Sequence, residues 1–272
     1  MHVRRRPLPG EVIAARDERR RVNAASERIV APRIAAHLRV AQVVLDALQG
    51  EHRSLADQTN LDPLSKTRQA AAWLLAGRCL SMCDAIVAVL RAGLTIEISP
   101  LARTLDEACA ALFIMLDGSE TKLHQQWLRD GDFRPTTLME AEMRSRTRKA
   151  AQMLGEGLSA PDRTDKSDDP IYHEWSRVTH NRRSSILESY RPDLRELVCG
   201  SQSDLLSHAV WVGIATHVFF RGTLTVEISL TTMLGHEFRL PSGETIFGSF
   251  FDVEKDHPLD STSLTEELEA YW

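Results

Sequence analysis

The sequence predicts an all-α protein, a multi-helix bundle followed by a small C-terminal extension. Three observations indicate this class. Apolar residues from Trp73 to Leu94 recur at alternating spacings of three and four, which keeps one face of a helix against a neighbour. Residues 100–117 are apolar around most of the helical circumference, and residues 205–234 form the most apolar long stretch of the chain. Segments of these two kinds are typical of helices enclosed by others.

The sequence up to residue 117 predicts three helices. After Pro32, apolar residues at helical spacing form one stripe that ends at Gly50. The stripe consists of Ile34, Leu38, Ala41, Leu45 and Leu48. The second helix carries the apolar seam that ends at Leu94. Ser99-Pro100 is typical of an N-cap followed by a first-turn proline, and it opens the central helix over 100–117.

The second part of the sequence predicts four further helices and a loop. We expect a short helix over 119–130, a more polar helix over 136–156 and a loop over 159–169. A helix restarts after Asp169-Pro170. A long helix from about residue 203 to residue 234 completes the bundle.

Beyond residue 236 the pattern changes. Two short runs, Phe238-Arg239-Leu240 and Thr245-Ile246-Phe247, flank a turn-forming segment and can form a small β-hairpin. We expect a linker over 252–261. Ser263-x-x-Glu266 then matches a capping box for a last short helix.

Length and charge indicate one main domain with appendages. We divide the 272 residues into an Arg-rich helical arm (1–65), a core helical bundle (66–235) and an acidic C-terminal extension (236–272). The net charge of −5 gives no general attraction to nucleic acid or to an anionic membrane.

The two ends of the chain are opposite in charge. Residues 1–40 hold ten arginines and four acids, whereas residues 236–272 hold two bases and nine acids. The two ends can therefore attract one another, or the basic arm can contact RNA or a partner. A solvated helical face is the commoner explanation of such a charge run.

The sequence also predicts the compartment. Four cysteines without a secretory signal ahead of them indicate reduced thiols in the cytoplasm. The apolar stretch over 205–234 contains His208, His217, Arg221 and Glu227, which a membrane span rarely tolerates together. We therefore expect a buried core helix and no membrane partner.

The central helix carries the first polar candidates. Arg103 and Glu107 are four residues apart, so they share one helical face and can pair. Charges in an enclosed helix must be paired or neutralised. A structural ion pair is the simpler interpretation, and a functional site needs a third group.

Candidates for the third group lie on later helices. Ser176 and His180 are four residues apart within 173–180, and a histidine can act as a general acid or base near neutral pH. His217 and Arg221 share a face of the last long helix and can join the same cluster.

Several of these segments resemble a known family. Gly77-Arg-Cys-Leu-Ser-Met-Cys-Asp84, Arg91-Ala-Gly-Leu94, Arg103-x-x-x-Glu107 and Tyr172-x-x-x-Ser176-x-x-x-His180 resemble an uncharacterised family of helical microbial proteins, known as a domain of unknown function. The resemblance covers about residues 66–234. It implies a helical bundle in which Arg103, Glu107, Ser176 and His180 are the family's polar positions, and it implies no activity.

Several familiar sites are absent from the sequence. No arginine precedes a histidine at the spacing used by the helical ribonucleases of toxin and phage-defence systems. Cys79 and Cys83 are four apart, but no Cys-x-x-Cys or His-Glu-x-x-His motif occurs, and no glycine-rich phosphate loop occurs either. We therefore expect no metal and no cofactor.

The sequence leaves three hypotheses about function. The first is a ligand-sensing or protein-interaction module with a polar pocket between helices 100–117, 170–190 and 203–234. Its partner is an anionic small molecule, RNA or a protein, and self-association into a homo-oligomer is compatible with it. Its candidate ligand-binding residues are Arg103, Glu107, His180, His217 and Arg221.

The alternative is a metal-independent nuclease or hydrolase with His180 as general acid or base. Ser176 and Glu107 are its further catalytic candidates, and an arginine would stabilise developing negative charge. A purely structural partner protein is the third hypothesis.

Overall fold

Helices make up most of the chain that the computed structural model describes. The described residues are 9–94, 97–117, 121–130, 141, 190–191, 196–197, 205–235, 238–260, 263–264 and 266. Six helices have bounds in these ranges: α1 (Pro9–Thr59), α2 (Arg68–Arg91), α3 (Ile98–Asp117), α4 (Thr121–Asp130), α5 (Leu205–Leu234) and α6 (Ile246–Asp256). A two-residue antiparallel pair joins β1 (Tyr190–Arg191) to β2 (Glu196–Leu197). The described part of the chain is mostly helical, as the all-α prediction expects.

Helix α1 is longer than the sequence predicts. It runs through both Pro32 and Gly50, which we expected to bound a helix. Core residues on both sides of the proline, Val30 and Ile34, are buried, so tertiary packing holds the two halves of α1 in one helix. The helix ends instead at Thr59 and is followed by Asn60, whose φ of 50° lies in the left-handed region that asparagine tolerates.

The predicted apolar seams of α2 and α3 are confirmed. Most of the α2 seam is buried, and the side chain of Thr67 caps the helix by accepting a hydrogen bond from the Ala70 N–H. Gly93, with a φ of 72°, follows the last residues of α2. Helix α3 is enclosed as expected, but Ser99 is not its N-cap, because it lies inside the helix and its hydroxyl has no hydrogen-bond partner.

Helix α5 occupies the centre of the described packing. It contacts α1, α2, α3 and α6, and α2 also packs along α3. One apolar core draws on all five of these helices and on Leu259 and Leu264. The core therefore includes residues from each of the three predicted segments, whose boundaries at 65 and 235 stay predictions.

The C-terminal extension differs from its prediction. The hairpin is not formed, because Thr245 caps helix α6 by accepting a hydrogen bond from the Gly248 N–H. Ile246, Phe250 and Val253 are buried at helical spacing, which is the pattern that overrides the strand interpretation. Part of the predicted linker, 252–256, is thus helical.

The last predicted helix begins differently as well. Asp260, and not Ser263, is its cap, since the Asp260 carboxylate accepts hydrogen bonds from the Ser263 N–H and hydroxyl at 2.8 and 2.6 Å. The predicted helices over 136–156 and after Pro170, and the loop over 159–169, lie outside the described residues. The exceptions there are the helical Ala141 and the start of β1.

Two helices among the described residues are long and apolar enough to cross a membrane by length and composition alone. These are Arg68–Arg91, which is α2, and Ala209–Leu234 within α5. Core helices of soluble proteins meet the same criterion, and both helices pack here against α1 and α3. The predicted absence of a membrane partner stays a prediction.

Candidate functional site

The predicted pair on the central helix is in contact. The Arg103 guanidinium Nε donates to the Glu107 carboxylate at 3.1 Å, one turn apart on α3. The two side chains are 21% and 26% exposed. Water reaches both, so the pair is a partly exposed contact within one helix, which is of small energetic weight.

A second ion pair joins α3 to α5. The Arg221 guanidinium donates to Asp106 at 2.8 Å, and the Asp106 side chain is 8% exposed while that of Arg221 is 39% exposed. Sequence reasoning named Arg221 but missed Asp106. The signal was present, because Asp106 is an acid in a helix predicted to be enclosed, and such an acid needs a cation from a neighbouring helix.

His217 and Arg221 do not converge. They are one turn apart on α5, yet Arg221 reaches α3 whereas the His217 imidazole lies 3.4 Å from the Glu254 carboxylate of α6. Both members of the His217–Glu254 contact are largely exposed, at 67% and 55%. His180 and Ser176 lie outside the described residues, so their predicted approach to Arg103 stays a prediction.

A cavity of about 210 Å³ lies beside His217, between α1, α5 and the segment that follows α6. Its apolar walls include Val210, Ile214 and Leu259, and its polar lining residues are His37, Thr216, His217, Glu254 and Asp260. Sequence reasoning named only His217 of this set. The segment that supplies Glu254 and Asp260 had been predicted to be a linker, so no cavity could be inferred there.

His37 forms the buried end of this cavity. Its Nε2 lies 2.8 Å from the His257 carbonyl oxygen and its Nδ1 lies 3.3 Å from the Thr216 hydroxyl. Since a carbonyl oxygen only accepts, Nε2 carries a proton. His37 interrupts the apolar stripe of α1 between Ile34 and Leu38, and this interruption was the sequence signal for it.

When His37 is neutral, the Thr216 hydroxyl can donate a hydrogen bond either to the Val212 carbonyl or to the Nδ1 of His37, but not to both. The hydroxyl donates to the Val212 carbonyl at 2.8 Å, so it cannot also donate to Nδ1 of a neutral imidazole. Burial lowers the pKa of His37, and the nearby His257 and His217 lower it further. The hydrogen bond to the His257 carbonyl and the charge of Glu254 raise the pKa, but the net shift is downward. In the neutral form, the Nδ1 of His37 therefore receives no hydrogen bond from the Thr216 hydroxyl.

Helix α1 also holds the chain that closes this cavity. One turn before His37, the Arg33 guanidinium donates to the Pro258 carbonyl at 3.0 Å. Arg33 and His37 therefore bind two successive carbonyls, those of His257 and Pro258, and fix the start of the segment that carries Leu259 and Asp260.

Another buried histidine has a structural role. The His52 ring stacks on Trp73 with 4.5 Å between centroids, and each residue's ring N–H pairs with the other's backbone carbonyl, at 2.9 and 3.0 Å. Burial lowers the pKa of His52. This reciprocal contact joins α1 to α2 and pairs the His52 Nε2 and the Trp73 Nε1 with backbone carbonyls.

The three described cysteines are buried free thiols. Cys79 and Cys109 are 3.9 Å apart between their sulfurs, and Cys83 lies in the apolar seam of α2. The hydrogen bond with Cys109, with burial, raises the pKa of Cys79, and burial raises that of Cys83. Among the described residues, no group of three or more histidines, cysteines and acids is arranged to hold a metal ion.

Comparisons with known proteins give no relative for this chain. No family model matches it, and neither the curated proteins nor the solved structures include a significant match. The resemblance to the uncharacterised helical family stays a prediction.

Proposed function

We propose that the protein is a ligand-sensing module that binds a small molecule in the cavity between α1, α5 and the segment after α6. The observation that carries the proposal is the combination, in one cavity, of apolar walls with a buried histidine and a largely exposed imidazole–carboxylate contact. Concave sites that are mostly apolar and have a few convergent polar groups are typical of small-molecule binding.

The size of the cavity limits the ligand. A volume of about 210 Å³ is below the roughly 300–1,000 Å³ of pockets for drug-sized ligands. It corresponds to the bulk volume of about seven water molecules. The ligand is therefore a small metabolite with an apolar body that packs on Val210, Ile214 and Leu259.

The charges at the cavity favour a ligand with an amine. Glu254 and Asp260 both line it, whereas the basic groups among its described lining residues are imidazoles. The His217–Glu254 contact is ionic only when His217 is protonated. An ammonium group can thus replace His217 as the partner of Glu254, with a charge-assisted hydrogen bond.

Binding at this position would change how firmly the C-terminal segment is held. The ligand would touch α5, α6 and Leu259 together, and α1 already fixes that segment through Arg33 and His37. A ligand that binds the folded state alone stabilises it, by about 2.7 kcal/mol at a hundredfold excess over Kd.

Thermal unfolding of the full chain with small primary amines, and with alcohols and carboxylates of the same carbon skeleton, tests the proposal. We expect the amines to raise Tm and the matched compounds to have little effect. Glu254→Gln should remove most of the amine response, whereas Asp252→Asn, an acid on α6 outside this cavity, should retain it. If no amine raises Tm, or if Glu254→Gln responds like the parent protein, the proposal is wrong.

The anionic ligand expected from the sequence is a separate proposal at the α3–α5 contact. Arg103 and Arg221 lie on these two helices, which supports it, but each already contacts a carboxylate, so an anion would have to compete with Glu107 and Asp106. A rise in Tm with phosphate or carboxylates that Arg221→Gln abolishes would favour it. The nuclease or hydrolase hypothesis, which depends on His180, stays a prediction.

We also propose that the described helices form one bundle and that the protein acts in the cytoplasm. The shared apolar core of α1, α2, α3, α5 and α6 supports the first statement. The second is supported by the buried free thiols and by the Arg221–Asp106 pair, whose arginine lies in one of the two apolar helices. Recovery of the full chain in a high-speed supernatant without detergent is the expected result.

A further inference from the structure

A groove separates α1 from the turn and helix that follow α5. It has a volume of about 430 Å³ and is lined by Asp252, Val253 and Asp256 of α6, whereas the ligand cavity is lined by Glu254 of the same helix. Its floor is apolar and includes Val43, which is 53% exposed. Its remaining apolar lining residues are Ala36, Val40, Val44, Leu240 and Val253.

The rim of this groove is acidic. Glu244, Asp252 and Asp256 line it, against a single arginine, Arg39. An apolar floor with an acidic rim is complementary to a basic helical segment that has small apolar residues.

The chain contains such a segment at the start of α1. Residues 1–28 hold eight arginines and four acids, and Arg19, Arg20 and Arg21 are followed by Val22 and two alanines. The backbone is helical from Pro9 onward. Within 10–28, the residues whose burial is described are exposed, namely Gly10, Ala14, Asp17, Glu27 and Arg28. Among the residues of α1 whose burial is described, the first buried one is Val30.

The same chain cannot place this segment in its own groove. Because α1 is one helix, Arg21 lies about 22 Å along the axis from Ala36, where the groove begins, at 1.5 Å per residue. By the same rise, Pro9 lies about 40 Å from Ala36. Contact between this basic segment of α1 and the acidic groove therefore requires a second molecule.

We propose that the groove binds the Arg-rich segment of α1 from a second copy of this chain. The copies would pair with their α1 helices antiparallel, so that residues near 20 of one lie beside residues near 40 of the other. The two-fold symmetry of such a dimer forms the contact twice. This proposal is independent of the proposed function, because the groove and the ligand cavity share no acid.

Sedimentation velocity of the full chain tests it. We expect a dimer at about 50 mM salt that weakens at about 1 M, where charges are screened over about 3 Å. Asp252→Lys with Asp256→Lys should raise the dimer Kd by at least about tenfold, and so should Arg19, Arg20 and Arg21→Glu. Mixing these two variants should restore a heterodimer, because one of its contacts is the native pairing and the other is the same pairing with its charges reversed. Asp57→Lys with Asp84→Lys, exposed acids elsewhere, is the charge-matched control.

A second pair of variants tests the apolar floor without reversing an acid. Val43→Lys should weaken the dimer, and Leu74→Lys, at an exposed leucine on α2, should not. Circular dichroism should show that each variant is folded. A chain that is monomeric at both salts, or a dimer unaffected by the Asp252/Asp256 change, overturns the proposal. A monomer whose arginine triplet instead binds RNA overturns it as well.

Discussion

In its C-terminal half, α5 meets α2 and α3 through a glycine and an ion pair, whereas in its N-terminal half it meets α1 and the segment after α6 around a cavity. An added Cβ at Gly222 would lie 2.9 Å from Leu105 and 3.0 Å from Cys83. An added Cβ at Gly213 would be 3.4 Å from Leu259, an ordinary contact. One helix therefore has a closely packed half and a half with room beside it.

The polar contacts of the two halves differ in the same way. The closely packed half pairs full charges, Arg221 with Asp106. The open half uses hydrogen bonds of His37 to a carbonyl and a hydroxyl, and one of these depends on protonation. We infer that the closely packed half of α5 contributes most to stability, whereas the open half can respond to a ligand or to pH.

The largest expected effect is at the ion pair between α3 and α5, whose carboxylate is buried. Asp106→Ala leaves the Arg221 guanidinium without its carboxylate at the α3–α5 contact. Breaking a fully buried pair costs about 3–5 kcal/mol, and since Arg221 is partly exposed we expect a loss of about 2–3 kcal/mol. Urea unfolding of the full chain measures it.

Glu107→Ala is the matched control on the same helix. Its pair with Arg103 is partly exposed and lies within α3, so we expect a loss below about 1 kcal/mol. Equal losses in the two variants would contradict the assignment of the Asp106 pair as the structural contact between helices.

The two glycines provide the next test. Gly222→Ala must displace Leu105 or Cys83, both fully buried, and overpacking of this kind costs about 1–3 kcal/mol. Gly213→Ala meets no close contact and gains helix propensity, so we expect it to stabilise the protein by up to about 1 kcal/mol. Thermal and urea unfolding should rank Gly213→Ala above the parent protein and Gly222→Ala below it. The reverse order would contradict the contrast between the two halves.

The closely packed half of α5 was the easier half to predict from sequence. The seams of α2, α3 and α5 follow from apolar residues at helical spacing, and Arg103, Glu107 and Arg221 were visible as charges in apolar surroundings. Their partners were less visible. Asp106 and Arg221 are far apart in the chain, and only the relative placement of α3 and α5 brings them together.

The open half was largely missed, for physical reasons. Helix α6 is short, and its buried Ile246, Phe250 and Val253 gave too few positions to separate a helix from a strand. Because α6 was not predicted, the sequence did not indicate that Glu254 and Asp260 lie near His217. The extent of α1 was missed because core packing around Val30 and Ile34 outweighs the local preference of Pro32 to end a helix.

Acidification should weaken the half that depends on His37. Burial lowers the pKa of His37, and likewise that of His52, so the unfolded chain binds more protons than the folded one as the pH falls below the ordinary histidine range. Their contribution to stability is present in full above that range. It is lost as the pH falls toward the lowered pKa of the folded state, with a slope of at most about 1.4 kcal/mol per pH unit for each group.

His37→Gln separates this contribution from the rest. The glutamine amide can still donate to the His257 carbonyl but does not titrate, so we expect a loss of about 1 kcal/mol at pH 7.5 and a shallower decline of stability down to pH 5. Urea unfolding across this range measures both. His52→Gln should also reduce the slope, since His52 titrates in the α1–α2 contact, and the double variant should show the smallest dependence. A parent protein whose stability rises on acidification over this range, or a His37→Gln slope equal to the parent's, would show that the open half is not held by a neutral histidine.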